Sequence, residues 1–599
     1  MKILYGSAVS KNLQRLRSLA ECFGVKPDFI EVNDDRPLPV ALRQIVEHGD
    51  NGVVLDVQSL KEKARQPMLQ EVANFIGRQP ALVLLLLVTD SNEATNQFVK
   101  TVTENGVVTV NRVPRAGNVG FPASGRSFSK ELFSQSYERQ EKGALTLSLP
   151  PNGKSMPIME LDGAPSFVFL ERGKSQILVW STPSIFDVHR LLAAEKEFER
   201  ARDEYIPAIV FVRSAFGDQC WHNPEPAAGI VIDDPLLQKN YGFIDFAELL
   251  QSARTHGYHV TLAFIPWNHW RSRAREVPLF LDHSDCFSVC AHGCDHTENE
   301  YGSTDYELLL SKNFVVSERM TRHSRRTGLQ SEALMVCPQE KYSIQAMGAF
   351  SDSRQFLGLI CTACMPRNLA SPQLSGADLL LPAQDSFFGF SVFKRHYSGN
   401  MALFAMALFL GKPAILVEHH EFFRNGTTGL EDHVKGLKGL RPDIQWRSLA
   451  ETVIRTHARR RLSTGSWEIR FFSDTFKLEH RLESSVNYRL IRRLPDATVI
   501  DRVLVDGKEV LFRRAHGILS FEIDAHERHT FAIQVEVTPI KPSKTYPSGL
   551  KYQTSVALRR ALSEVRDNLI VRNRFAMSAG RLIVTTVMNS TRPRNGSSR

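Results

Sequence analysis

Apolar positions in the first 110 residues fall in short runs, separated by stretches with an apolar residue every third or fourth position. The runs at 2–5, 28–32, 52–57 and 82–88 read as strands, and 12–23, 39–48 and 67–76 as helices between them. Strands and helices alternating through short connections predict a parallel sheet covered on both faces. A Gly-, Ser- and Pro-rich stretch follows at 116–127, then a hairpin-like pair at 166–170 and 176–179. We expect a doubly wound parallel α/β domain over residues 1–185. A connector over 186–224 is expected to contain a charged amphipathic helix at 185–205.

A second alternation begins at 225. Strand-like runs at 229–232, 259–266, 286–291, 333–337, 357–361 and 413–417 each lead into polar residues, with helical patterns at 243–256, 305–325 and 402–410. Seven or so such units predict a distorted (β/α) barrel over 225–460. In a parallel barrel the groups at the C-terminal strand ends gather on one face. Beyond 465 the runs become short and β-rich, at 467–472, 488–492, 498–505, 518–523 and 530–537. Turn dipeptides such as Asp506-Gly507 separate them, so a small β-sandwich is expected over 465–540. The fold class is therefore α/β multidomain.

Composition sharpens this picture at a few points. A chain of 599 residues with 42% hydrophobic and 23% charged residues is a globular, multidomain protein. The longest apolar stretches, 81–88 and 401–411, fall short of the roughly 20 residues of a membrane span. The net charge of +9 is confined to one end: residues 541–599 hold 12 Lys/Arg and 2 Asp/Glu, and the other 540 hold 62 and 63. Nucleic acid is thus not an expected partner. The basic tail, 541–599, is expected to be poorly ordered and free to contact an anionic polymer or membrane surface. The first six residues run straight into a strand pattern without a signal-peptide profile, so a cytoplasmic location is expected.

Of eight cysteines, six lie between Cys286 and Cys364. Cys290 and Cys364 sit in or beside strand-like runs, where cysteine acts as a small buried hydrophobe. The N-terminal domain, 1–185, resembles flavodoxin-like or amidotransferase-like folds in outline, but 87–92 contains no cysteine nucleophile and there is no glycine-rich dinucleotide fingerprint, so chemistry is expected elsewhere.

Two clusters in the barrel segment carry it. His292 and His296 lie four apart, a spacing that lets both imidazoles reach one metal ion from a helical turn. Asp233-Asp234-Pro235 follows the first strand-like run. One carboxylate with two imidazoles makes a three-ligand set that leaves open positions, and the neighbouring carboxylate can accept a proton from water.

Ile232-Asp233-Asp234 followed by His292-Gly-Cys-Asp-His296 resembles the first two motifs of the NodB-homology polysaccharide deacetylases, carbohydrate esterase family four. The resemblance covers residues 225–450. It implies that Asp233 is the base, and that Asp234, His292 and His296 bind a divalent metal such as zinc. Val417-Glu418-His419 matches a late motif whose histidine is the general acid, with His420 as the competing candidate. The implied function is metal-dependent removal of an acyl group, an N-acetyl group first, from a carbohydrate substrate. Three positions depart from the family: Pro235 where glycine is common, Gly293 where a Ser/Thr hydroxyl would fix the loop, and only Lys341 near 333–342 where an arginine orients the base. These departures leave a second implied function, a catalytically decayed glycan-binding or assembly protein.

Overall fold

The computed structural model describes residues 1–49, 52–63, 66–78, 80–151, 153–547 and 549–570. Its N-terminal sheet has nine strands. Lys2–Tyr5, Asp28–Glu31, Gly52–Asp56, Pro80–Val88 and Lys174–Ser181 form a parallel half. Ala164–Arg172, Met156–Leu161, Thr109–Gly120 and Ser136–Ser148 extend the same sheet in antiparallel pairing. The expected parallel sheet is therefore corrected for this second half, whereas the hairpin-like pair expected at 166–170 and 176–179 is found. The Gly-rich start of 116–127 remains in the ladder through register shifts at Val113/Ala116 and Ala116/Asn118, and bulges of this kind accommodate glycine and proline in a strand.

The connector is also corrected. Its main helix is Ile206–Phe216, with Pro207 in the first turn and every residue from Ile206 to Val212 buried. Proline fits the first turn of a helix but cannot continue one. The charged segment before it therefore forms only the short turns Glu195–Glu199 and Arg202–Glu204.

Seven parallel strands close into the central barrel: β1 (Ala227–Asp233), β2 (Val260–Phe264), β3 (Phe287–His292), β4 (Ser331–Val336), β5 (Leu359–Cys361), β6 (Val392–Tyr397) and β7 (Ala414–Glu418). Closure comes from β1, which pairs with β2 on one side and β7 on the other. Val231, Ala263, Cys290, Ile360, Phe393 and Ile415 pack together inside it. Leu449 and Val453, from the helix Leu449–Arg455, join this core. Cys290 is thus a core residue.

Two antiparallel-rich sheets of five and four strands, between His457 and Glu536, enclose a separate core that includes Ile469, Phe476, Leu490 and Ile533. No helix among the described residues is long and apolar enough to cross a membrane.

The segment expected to be a poorly ordered tail is corrected over 541–570. It returns to the barrel: Ser543 bonds Glu307, Lys544 pairs with Asp305, and a helix follows at Leu550–Val565. We call this segment the strap. Aromatic hydroxyls and acidic side chains at its inner face find partners on the barrel, which its net basic composition does not show. Residues 571–599 lie outside the described residues.

Candidate metal centre

The site follows from strand parity. Side chains two apart in a strand face the same way, so Asp233 follows Val231, His292 follows Cys290 and Arg395 follows Phe393 onto the interior of the barrel. All three lie at or near C-terminal strand ends and form its uppermost polar layer.

Asp233 is 2% exposed at its side chain, and Arg395, 1% exposed, meets it with two parallel hydrogen bonds of 2.8 Å. Burial opposes ionisation of Asp233, but the Arg395 guanidinium and the His292 and His419 imidazoles outweigh it and hold the carboxyl below its ordinary value. An arginine that fixes the Asp233 carboxylate is therefore present. It comes from β6, two strands beyond the segment around Lys341 in which the sequence led us to look.

Asp234 faces elsewhere. Its φ is +76°, a left-handed conformation unusual for a residue other than glycine, and the following Pro235 disfavours the right-handed helical alternative. The Asp234 amide donates to Ala263 O at 3.1 Å. Its Oδ1 lies 3.3 Å from His296 Nε2 and 3.6 Å from His292 Nε2, yet this buried oxygen has no hydrogen-bond partner. Burial again opposes ionisation, and His296, His292, His419 and Arg560 together hold the carboxyl at about 2. His292 has its Nδ1 3.1 Å from Val336 O, the tautomer-fixing contact that leaves Nε2 free as a ligand. Burial lowers the pKa of His296 against the pull of Asp234, which favours the neutral, ligating imidazole. The three donor atoms lie within 4.8 Å of one another. An unpartnered buried oxygen converging with two imidazole nitrogens fits a shared divalent cation.

Gly293 has a physical reason. Its φ is +66°, and a Cβ there would stand 2.3 Å from Glu300 Oε2. The buried Glu300 carboxylate accepts from the amides of Cys294, Asp295 and His296 at 3.0, 2.8 and 3.2 Å. It braces the loop that carries His296. Glu300 and Arg395 are the two site residues that the sequence reading missed. An acid four residues after His296, and a Lys-Arg-His triplet in an otherwise apolar run, were the available signals.

The two late histidines part company. His419 is extended, with φ −113° and ψ 169°, so consecutive side chains point to opposite sides. Its Nε2 lies 3.9 Å from Asp233 Oδ2, its side chain is 41% exposed, and its ring stacks on Tyr397 at 6.1 Å. His420 is buried and turns away. Its Nε2 lies 3.5 Å from Asp567 Oδ1, and its ring meets Tyr241 edge-on. The structure thus brings Asp233, Asp234, His292, His296 and His419 together and leaves His420 outside the group.

Neither a family model nor a curated protein matches the chain. Among solved structures, it is similar to Agd3, a carbohydrate deacetylase, with TM-score 0.41 and 8% identity, covering 89% of this chain and 99% of that one. It is also similar to a CE4 family pseudoenzyme from Bacillus anthracis, with TM-score 0.25 and 13% identity, covering 39% of this chain and 66% of that one. A family 4 carbohydrate esterase from Streptomyces lividans, in complex with acetate, gives TM-score 0.23 and 13% identity, covering 37% and 91%.

Proposed function

We propose that the protein is a metal-dependent hydrolase that removes an acyl group, an N-acetyl group first, from a sugar or glycan precursor. The observation that carries this reading is the division of one acid pair: Asp234 completes a three-donor set with His292 and His296, and Asp233 stands beside it, locked by Arg395. A divalent metal such as zinc, held by those three donors, would polarise the acyl carbonyl and make water a better nucleophile. Asp233 takes the proton of the attacking water, and Arg395 keeps its carboxylate ionised and aimed. His419, within reach of Asp233 and open to solvent, gives a proton to the leaving amine.

The alternative, a decayed barrel that only binds glycans, draws on Gly293 and on the missing arginine of the third motif. Glu300 and Arg395 perform the two tasks those departures left vacant, which favours the hydrolase. Metal content of the full chain and acetate release from N-acetylated oligosaccharides test the reading together. Retained metal with no acetate release would sink the hydrolase, and protein that binds no divalent metal would sink the site as well.

A further inference from the structure

We propose that Arg560, carried by the strap, is a specificity-determining residue of the barrel mouth and selects acylated sugars bearing a carboxylate or phosphate group. The proposal rests on the reading of the mouth as a sugar-deacylating site. Tyr552, Val556 and Arg560 are spaced by four and share one face of the strap helix. Both ends of that face are pinned to the barrel. The Tyr552 hydroxyl donates to Asp295 at 2.6 Å, one residue before the candidate ligand His296, and Tyr546 donates to the same carboxylate at 2.8 Å. At the other end Glu564 accepts from Arg271 at 2.6 Å, Asp567 accepts from the Tyr241 hydroxyl at 3.1 Å, and Asn568 accepts from the Gly242 amide at 2.8 Å.

Arg560 lies between these fixed points, only 8% exposed. Its Nη2 donates to Ser563 at 3.2 Å, its Nε has no hydrogen-bond partner, and none of the ion pairs within 4 Å among the described residues includes it. The nearby acids are already engaged, Glu564 by Arg271 and Asp567 by Arg566 and His420. Deeper in the barrel, Asp233 and Arg395 neutralise each other.

A buried cation with no counter-charge in contact is costly, and an anion arriving with the substrate relieves that cost. The planar guanidinium fork matches carboxylate and phosphate oxygens, and a charge-assisted pair of that kind is strong and directional. His419 and Tyr397 at the barrel mouth are both about two-fifths exposed, and this is the side from which a sugar would enter.

The test is calorimetric titration of the full-length, zinc-loaded protein with N-acetylglucosamine, its 1-phosphate and an N-acetylhexosaminuronic acid. Wild type is expected to bind at least one acidic probe about tenfold or more tighter than the neutral one. Arg560→Gln is expected to abolish that preference and Arg560→Lys to keep part of it. Should Arg560→Gln fail to fold, protection of wild-type Arg560 from phenylglyoxal by an acidic probe, and not by the neutral one, carries the same test. A preference that survives Arg560→Gln would place anion recognition on the metal alone and overturn the proposal. Tighter binding of all three probes by Arg560→Gln would make the strap a plug and overturn it equally. A lost preference without acetate release from any probe would uphold Arg560 and refute the hydrolase; acetate release without any preference would do the reverse.

Discussion

Two doublets of identical residues end neighbouring strands of the barrel, Asp233-Asp234 after β1 and His419-His420 after β7, and each doublet is divided differently. After β1 the division depends on backbone conformation: Asp233 keeps strand parity and meets Arg395, whereas Asp234 adopts φ +76° and swings toward two imidazoles. After β7 the chain stays extended, so simple alternation sends His419 inward and His420 toward the strap. Chemically equal neighbours thus acquire unequal surroundings from what lies across the barrel. The first doublet needed a strained residue to achieve this and the second did not.

The sharpest way to break the comparison is at Asp234. Asp234→Asn is expected to abolish stoichiometric metal binding, and activity with it, because a neutral amide is a poor oxygen donor to a dication. Metal retention at wild-type affinity would show that the doublet is not divided as described.

Asp233→Asn is expected to keep the metal and to lower kcat by about 10²–10⁴, the usual cost of removing a general base. Its partner variant, Arg395→Ala, strands a buried carboxylate and is expected to cost about 3–5 kcal/mol of folding stability, read by denaturant titration. A stability loss below about 1 kcal/mol would mean that the pair is far better solvated than its burial indicates.

At the second doublet, His419→Ala is expected to retain metal and to slow turnover. His420→Ala should leave turnover intact and act on the strap instead, as faster amide exchange over 550–565. Interchanged phenotypes would reverse the assignment of the two histidines.

A smaller effect is expected from Gly293→Ser, which restores the hydroxyl residue of the resembled family. Because a Cβ at 293 meets Glu300 and the backbone there is left-handed, the change should weaken metal binding, not strengthen it. The smallest effect concerns pH. Burial resists ionisation of Asp567, but His420 and Arg566 overcome it and hold the carboxyl at about 2. The strap's tie to β7 is therefore fully present above about pH 4, the ordinary carboxyl value, and is lost as pH falls toward 2. Amide exchange of the strap helix between about pH 4 and 2, corrected for the intrinsic rate, should rise before that of the barrel strands; simultaneous loss would mean that Asp567 is not what fastens it.

Much of the barrel was legible because parallel strands covered on both faces are near-continuous apolar runs. The strand that escaped notice is β6, and it is the strand that supplies Arg395. Val392-Phe-Lys-Arg-His-Tyr397 reads as polar because Lys394 turns outward to Glu195 and Glu199 while Arg395 turns inward to Asp233. Residues committed to a site break the pattern by which strands are recognised. The metal donors were visible as spacings along the chain. Glu300, Arg395 and the strap were not, since each acts through a contact that only the folded chain creates. The antiparallel half of the first sheet was obscured for a different reason: its bulges place glycine and proline where a regular strand would have neither.

The strap also sets an order of assembly during synthesis. Residues 541–570 leave the ribosome after the barrel and the sandwich, so the barrel can close with its mouth still bare. At that stage Asp295 lacks the two tyrosine hydroxyls that bond it in the finished molecule, and His420 lacks Asp567. A nascent chain stalled before residue 541 would then present the metal donors without Arg560. In such a chain the candidate metal donors would be in place before the strap lies across the barrel mouth.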